Sequence, residues 1–281
     1  MAIHLSGSNF VRAPSTSVAS GATAFTTAMW VNFRTIDSTD DGIMLLGADD
    51  SGSRQIMLWR DAVGQFDSTP HCLSALVGRG GTQAYSVLSG SANTLAPARA
   101  EQWIHIACTW QANFGFRLFI DGVPDAKQGV YSTQSSYIPT GSVPYELGFS
   151  GATREPDLWM AEHALWPNTV LSDSEIGGLA HGISPLALIN RVANLAAYQD
   201  LIAGPNRPGI GPAFAEVGSP AKAAHPRLLS PAGACSPRPA AAALFLKLAS
   251  AQQAAAGAAA AGAFTAGAQA GLSFPTAEAN P

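Results

Sequence analysis

Hydrophobic and polar positions alternate with a period of two through most of the first 165 residues, most clearly in EQWIHIACTWQANFGFRLFIDGVPD, residues 101–125. Ile104, Ile106, Cys108 and Trp110 fall on one side of an extended chain, and Trp103, His105, Ala107 and Thr109 on the other. Both sides are partly apolar, as in a strand covered on both faces. Residues 111–115 form a short polar loop. Phe116, Leu118 and Ile120 then alternate with Arg117 and Phe119, and Asp121-Gly122 closes the run with residues that accept positive φ, a hairpin signal. Similar runs punctuated by Gly, Ser, Asp and Pro predict strands at 3–11, 25–33, 43–47, 55–60, 73–77, 85–88, 103–110, 117–121, 145–149 and 158–165. Many short strands at this spacing predict an all-β, two-sheet sandwich.

The period changes at residues 171–182, which predict a short helix after the last strand. Ser172 and Glu175 have the S-x-x-E spacing of a capping box, Gly182 is placed to end the helix, and Ile176 and Leu179 share a face directed at the sandwich. Residues 186–201 predict one more helix or strand. A Pro- and Gly-rich run follows, in which missing donors and restricted φ predict an extended path. Residues 240–281 are rich in Ala and Gly, with Lys247 and Glu278 their only charges. Alanine favours helix over 240–261, with Gly257 a weak point. The expected organisation is therefore a sandwich over 1–190, an extended stretch over 191–239 and a C-terminal arm over 240–281.

Trp103, His105, the apolar run to Trp110, and Leu118 to Gly122 resemble the recurring phrase of laminin-G-like, concanavalin A-like jelly rolls. The opening AIHLSGSNFVRAP is similar to that family's first strand, and FTTAMWVNF, with Trp30, to its second. DLWMAEHALWPNTVLSDSEIGGL is similar to its closing strand and helix. The likeness covers roughly residues 1–190 and implies a two-sheet jelly roll; it does not by itself imply an activity. Tyr198 and His225-Pro226 resemble the continuation seen in phage and bacterial jelly-roll proteins.

Composition narrows the partners. Charged residues make up only 12% of the chain, about half of the ~25% usual for globular proteins. Net charge is −4 and no basic run is present, which argues against direct nucleic-acid binding. A membrane span over 240–261 is a poor fit, because alanine is barely apolar and Gln252-Gln253 fall mid-segment. Cys72, Cys108 and Cys235 show neither a disulfide framework nor zinc spacing. MAIHLSGSNF lacks the basic and apolar regions of a secretory signal, so synthesis and folding in a host cytoplasm are expected.

Candidate chemistry is sparse. Glycan cleavage needs paired carboxylates facing one cleft, and Glu155-Pro156-Asp157 is interrupted by its proline. Asp173 and Glu175 fit a helix N-terminus instead. No G-x-S-x-G elbow occurs, and His71, His163 and His181 lack ligand spacing. His105 fits a packed strand histidine. Asp40, Asp41, Asp49 and Asp50 are weak calcium candidates, since turns need the same residue types. No other cofactor is expected. For sugar stacking the sequence offers Trp59, Tyr85, Tyr131 and Tyr137.

These features favour a non-enzymatic virion protein, a phage capsid decoration (cement) or tail-associated protein, held to other virion proteins and to copies of itself. Leu244, Phe245, Leu246, Leu248, Phe264, Leu272 and Phe274 of the arm are the expected contacts. A low charge lowers the desolvation cost of such packing, and an arm adds contact area. The alternative is a lectin-like module that recognises host-surface glycans.

Overall fold

The period-two pattern becomes two antiparallel sheets. The computed structural model describes residues 2–7, 9–13, 18–47, 56–64, 68–78, 85–127, 145–149, 156–201 and 210–223. The chain divides into two units, Met1–Pro231 and Ala232–Pro281, and every described residue belongs to the first. The arm residues 240–281 lie outside the described residues.

In chain order the strands are β1 (Ala2–Ser6), β2 (Phe10–Ala13), β3 (Ala24–Phe33), β4 (Asp41–Leu46), β5 (Ile56–Asp61), β6 (Cys72–Gly78) and β7 (Tyr85–Ser89). They continue with β8 (Ile104–Gln111), β9 (Gly115–Ile120), β10 (Val123–Pro124), β11 (Tyr145–Leu147), β12 (Asp157–Pro167), β13 (Ala197–Gln199), β14 (Ala215–Val217) and β15 (Lys222–Ala223). The first sheet runs β10-β9-β8-β3-β12-β1-β15, with β13 also on β12; the second runs β14-β2-β11-β4-β5-β6-β7. The helix α1 (Asp173–Ala180) follows the long strand β12.

Side-chain alternation builds three apolar layers. Between the sheets lie Ile3, Leu5, Phe25, Met29, Val31, Phe33, Ile104, Ile106, Trp110, Phe116, Leu158 and Met160, with Met44, Leu58 and Leu73 from the second sheet. On the outer face of the first sheet, Ala28, Ala107, Phe119, Ala164 and Trp166 pack under Leu171, Ile176, Leu179 and Leu195. Leu45, Met57, Trp59, Leu76 and Phe149 form the third layer, on the second sheet. Strands with apolar residues on both faces thus read as near-continuous hydrophobic runs, as β4, β5 and β6 do.

Three expectations change. The predicted strand 3–11 is two strands in different sheets. Gly7, at φ 51°, and the Ser6–Asn9 bridge turn the chain between them. Residues 186–201 form neither a full helix nor a long strand, but two short 3-10 turns followed by β13. Within the expected extended stretch 191–239, the described strands β13, β14 and β15 pair into the sandwich. The last two take the edges beside β2 and β1, where a strand flanked by prolines loses least.

Helix α1 follows its sequence signals closely. The Ser172 side chain accepts from the Glu175 backbone N–H, and Glu175 Oε2 accepts from Ser172 N at 2.7 Å. Asp173 takes a two-pronged contact from Arg117 at 2.6 and 2.8 Å, and Arg191 Nε donates to Glu175 at 2.7 Å. Ile176 and Leu179 are its buried residues.

Candidate functional site

The helix and the turns after it cover only part of the outer face of the first sheet. Beyond their edge the same face carries partly exposed side chains in place of the apolar layer. The inward residues fix this arrangement: with Ile3 and Leu5, Val31 and Phe33, and Leu158 and Met160 in the core, His4, Asn32 and Trp159 must face outward. Register sets them in a row across three strands, His4 opposite Trp159 and Trp159 opposite Asn32. The next row is Ala161, Trp30 and His105. Trp30, Asn32, Trp159 and His4 are all partly exposed.

The two rows differ in character. In the first, the His4 and Trp159 rings lie 4.6 Å apart at 35°. His4 Nε2 meets Asp157 Oδ1 at 2.8 Å, Thr35 donates its hydroxyl to Asp157 Oδ2 at 3.0 Å, and Arg34 lies 3.9 Å from the same carboxylate. Asp157 is also anchored from within, its N–H donating to Asp41 Oδ1 at 3.1 Å. Asp41 in turn accepts from the buried Arg60 Nε at 2.5 Å. Burial pushes the Asp41 carboxyl up to about 6 against the pull of Arg60. In the second row, the Trp30 and His105 rings meet edge-on with centroids 5.3 Å apart. His105 is almost fully buried, and burial lowers it to about 3, so the ring is neutral. Its backbone N–H donates to Asp121 Oδ1 at 3.0 Å, and Asp121 and Gly122 form the predicted turn with φ of 52° and 79°.

A β-bulge in β12 shapes this end of the face. Ala161 pairs with Trp30 and Ala164 with Ala28, so two residues, Glu162 and His163, occupy the space of one. Glu162 adopts φ 53°. The bulge sends its two residues opposite ways. His163 bonds the Tyr145 hydroxyl of the second sheet, and burial lowers it to about 3. Glu162 accepts from the Tyr198 hydroxyl at 2.6 Å. It also shifts the phase of alternation, so that Trp159 and Trp166 both face outward although seven residues apart.

The sequence-named candidates fare differently. Asp41 is committed to Arg60 and Asp157, and Asp40 Oδ1 accepts from Ala62 N at 2.8 Å, so the two carboxylates brace backbone and core. Asp49 and Asp50 lie outside the described residues, among which no set of three His, Cys, Asp or Glu is grouped to hold a metal. Trp59 is fully buried and offers no sugar platform. The Tyr85 side chain, Tyr131 and Tyr137 lie outside the described residues, as do Leu244, Phe245, Leu246, Leu248, Phe264, Leu272 and Phe274. Among the described residues, Trp30, Trp103 and Trp159 are partly exposed. Trp30 and Trp159 had their signal in the sequence: each sits between residues that belong to the core.

Residues 5–177 match the family described as the concanavalin A-like lectin/glucanases superfamily. No curated protein matches the sequence. Among solved structures, the chain is similar to a candidate carbohydrate-binding protein from Bacteroides ovatus, with 17% identity and a TM-score of 0.50, over 78% of this chain and 62% of that one. It thus spans less than two thirds of that protein's length. A pentraxin from Limulus polyphemus shares 11% identity over 64% of this chain and 81% of its own, with a TM-score of 0.42. A botulinum neurotoxin type C structure, described through its interaction with two ganglioside molecules, shares 11% identity over 60% of this chain and 42% of its own, also at 0.42. At these identities the likenesses concern the fold. The match over residues 5–177 and the two-sheet architecture place this chain in the concanavalin A-like lectin/glucanases superfamily.

Proposed function

We propose that this protein is a glycan-binding module that holds a sugar on the outer face of its first sheet, over Trp30 and Trp159. The observation that carries this reading is the row His4–Trp159–Asn32 beside Trp30: two partly exposed indoles, flanked by an imidazole, an amide and a fixed carboxylate, on the part of the sheet that the helix leaves uncovered. Sugar rings present apolar C–H faces and a rim of hydroxyls, and that combination calls for flat aromatic surface with a few placed polar groups. Asp157 and Asn32 supply acceptors, and Arg34 and Asn32 supply donors. The virion role was expected from the absent signal, the jelly roll and the arm together; the arm, 240–281, lies outside the described residues, and the aromatic face of the sandwich supports the glycan-binding alternative.

The superfamily's description names both lectins and glucanases. Asp157 is held by His4 and Thr35, and Glu162 by Tyr198, which fits acceptors set in place for binding. The test is a glycan array probed with wild-type protein and with Trp159→Ala. A sugar-selective signal that falls by about 30-fold in affinity, or about 2 kcal/mol for loss of a central tryptophan, supports the reading. Glycans bound by the wild type are expected to be recovered intact; release of new reducing ends would turn the reading toward a glucanase.

A further inference from the structure

The six tryptophans divide evenly. Trp59, Trp110 and Trp166 are fully buried, and Trp30, Trp103 and Trp159 are partly exposed. The exposed three belong to three neighbouring strands. Trp159 lies on β12, Trp30 on β3, and Trp103 immediately precedes β8, which pairs with β3. They also share a face. Ile104 points into the core opposite Val31, while His105 meets the Trp30 ring on the outer side. Alternation therefore returns Trp103 to the outer side, one step past the Ile104–Val31 pair and so beside Asn32. His4, Trp159, Asn32 and Trp103 thus form a band across β1, β12, β3 and the start of β8. On one side the band is bounded by Trp30, which lines a small pocket with Ile183 and Pro185 of the turns after α1. On the other side stand Asp157 and Arg34, 3.9 Å apart.

We infer that this band binds a linear oligosaccharide laid across the strands, with Trp103 as a stacking platform for a sugar unit beyond the one held at Trp159. The inference rests on the glycan-binding reading and adds to it the class of ligand: consecutive units of a chain, in place of one terminal sugar. The spacing carries it. Neighbouring strands lie about 4.8 Å apart, so outer side chains on β12 and β8, one on each side of β3, stand roughly 10 Å from each other. One sugar ring does not cover both. The polar groups are spread in the same way. Asn32 lies between the two outer indoles, and its amide both donates and accepts, as the hydroxyl rim of successive units requires. His4 and Asp157, joined at 2.8 Å, serve the end at β1. A site for a single terminal sugar would instead gather its polar groups around one ring. Once the first unit is stacked, the next meets its platform at high effective concentration, so a chain gains affinity from each indole it reaches.

The experiment is titration calorimetry of the full chain with linear oligosaccharides of increasing length, from monosaccharide to hexasaccharide, in glucose, N-acetylglucosamine and mannose series. The wild-type comparison needs no variant: within a series that binds, affinity is expected to rise by about tenfold or more between the monosaccharide and a chain long enough to span the band. Equal affinity at every length overturns the inference. Trp103→Ala is expected to weaken the long chain about tenfold more than the monosaccharide, the worth of one well-stacked aromatic, with Trp103→Phe falling between it and the wild type. If Trp103→Ala lowers all lengths by one factor, or none, while Trp159→Ala abolishes binding, the face binds sugar and Trp103 is no platform. If neither these series nor any arrayed glycan binds the wild type, the functional reading itself falls, and the inference with it.

Discussion

His105 and His163 show what burial does to a titratable side chain. Each is held neutral down to about pH 3, whereas in an unfolded chain it protonates near 6.5. Below 6.5 the unfolded chain therefore takes up protons that the folded one refuses, and stability drops by about 1.4 kcal/mol per pH unit for each group. Asp41 works the other way. Its folded carboxyl at about 6 protonates more readily than the unfolded one at 3.8, so it adds stability as pH falls through that interval. Two groups outweigh one. Urea unfolding is expected to give the highest stability above pH 6.5, with a net loss of about 1.4 kcal/mol per pH unit between roughly pH 6 and 4. His163→Gln should flatten that slope, and an unchanged slope would show that His163 is not kept neutral by the fold. Single residues were unevenly legible in the sequence. Trp30 and Trp159 were readable as outward residues because Val31, Leu158 and Met160 are plainly core. The outward turn of Glu162 was not, because the bulge behind it is set by pairing to β3 and leaves no local mark.

At the scale of elements, most strands and the helix follow directly from alternation and capping. The reason is that β3, β8 and β12 each alternate a core residue with one of a different environment. What periodicity missed were changes of direction and distant pairings: the turn at Gly7, the shifted phase in β12, and the three short strands after residue 190. Short strands gain their stability from the sheet they join, so their own sequence says little. The capping box is expected to matter locally. Ser172→Ala removes the acceptor for Glu175 N and should cost about 1 kcal/mol in denaturant unfolding. Gly122→Ala is expected to cost about 2 kcal/mol, because its φ of 79° disfavours a side chain and the added Cβ would lie 2.8 Å from Ala180 Cβ. Near-zero effects would mean that the turn and helix relax independently of the sheet.

For the whole molecule, two sheets enclose one apolar layer, and each carries another on its outer face. This layered burial allows so weakly charged a chain to expose a polar and aromatic patch at one chosen place. The fold class was legible because nearly every strand declares its inward face. The patch was not, since which half of an outer face α1 covers depends on where the chain goes after β12. The most direct measurement is sugar affinity in the Trp30→Ala/Trp159→Ala double variant, set against Phe114→Ala, an exposed side chain in the β8–β9 turn. The double variant is expected to lose binding while Phe114→Ala retains it, both remaining folded by circular dichroism. Binding that survives in the double variant and fails in the turn variant would move the site off the sheet face and contradict the account.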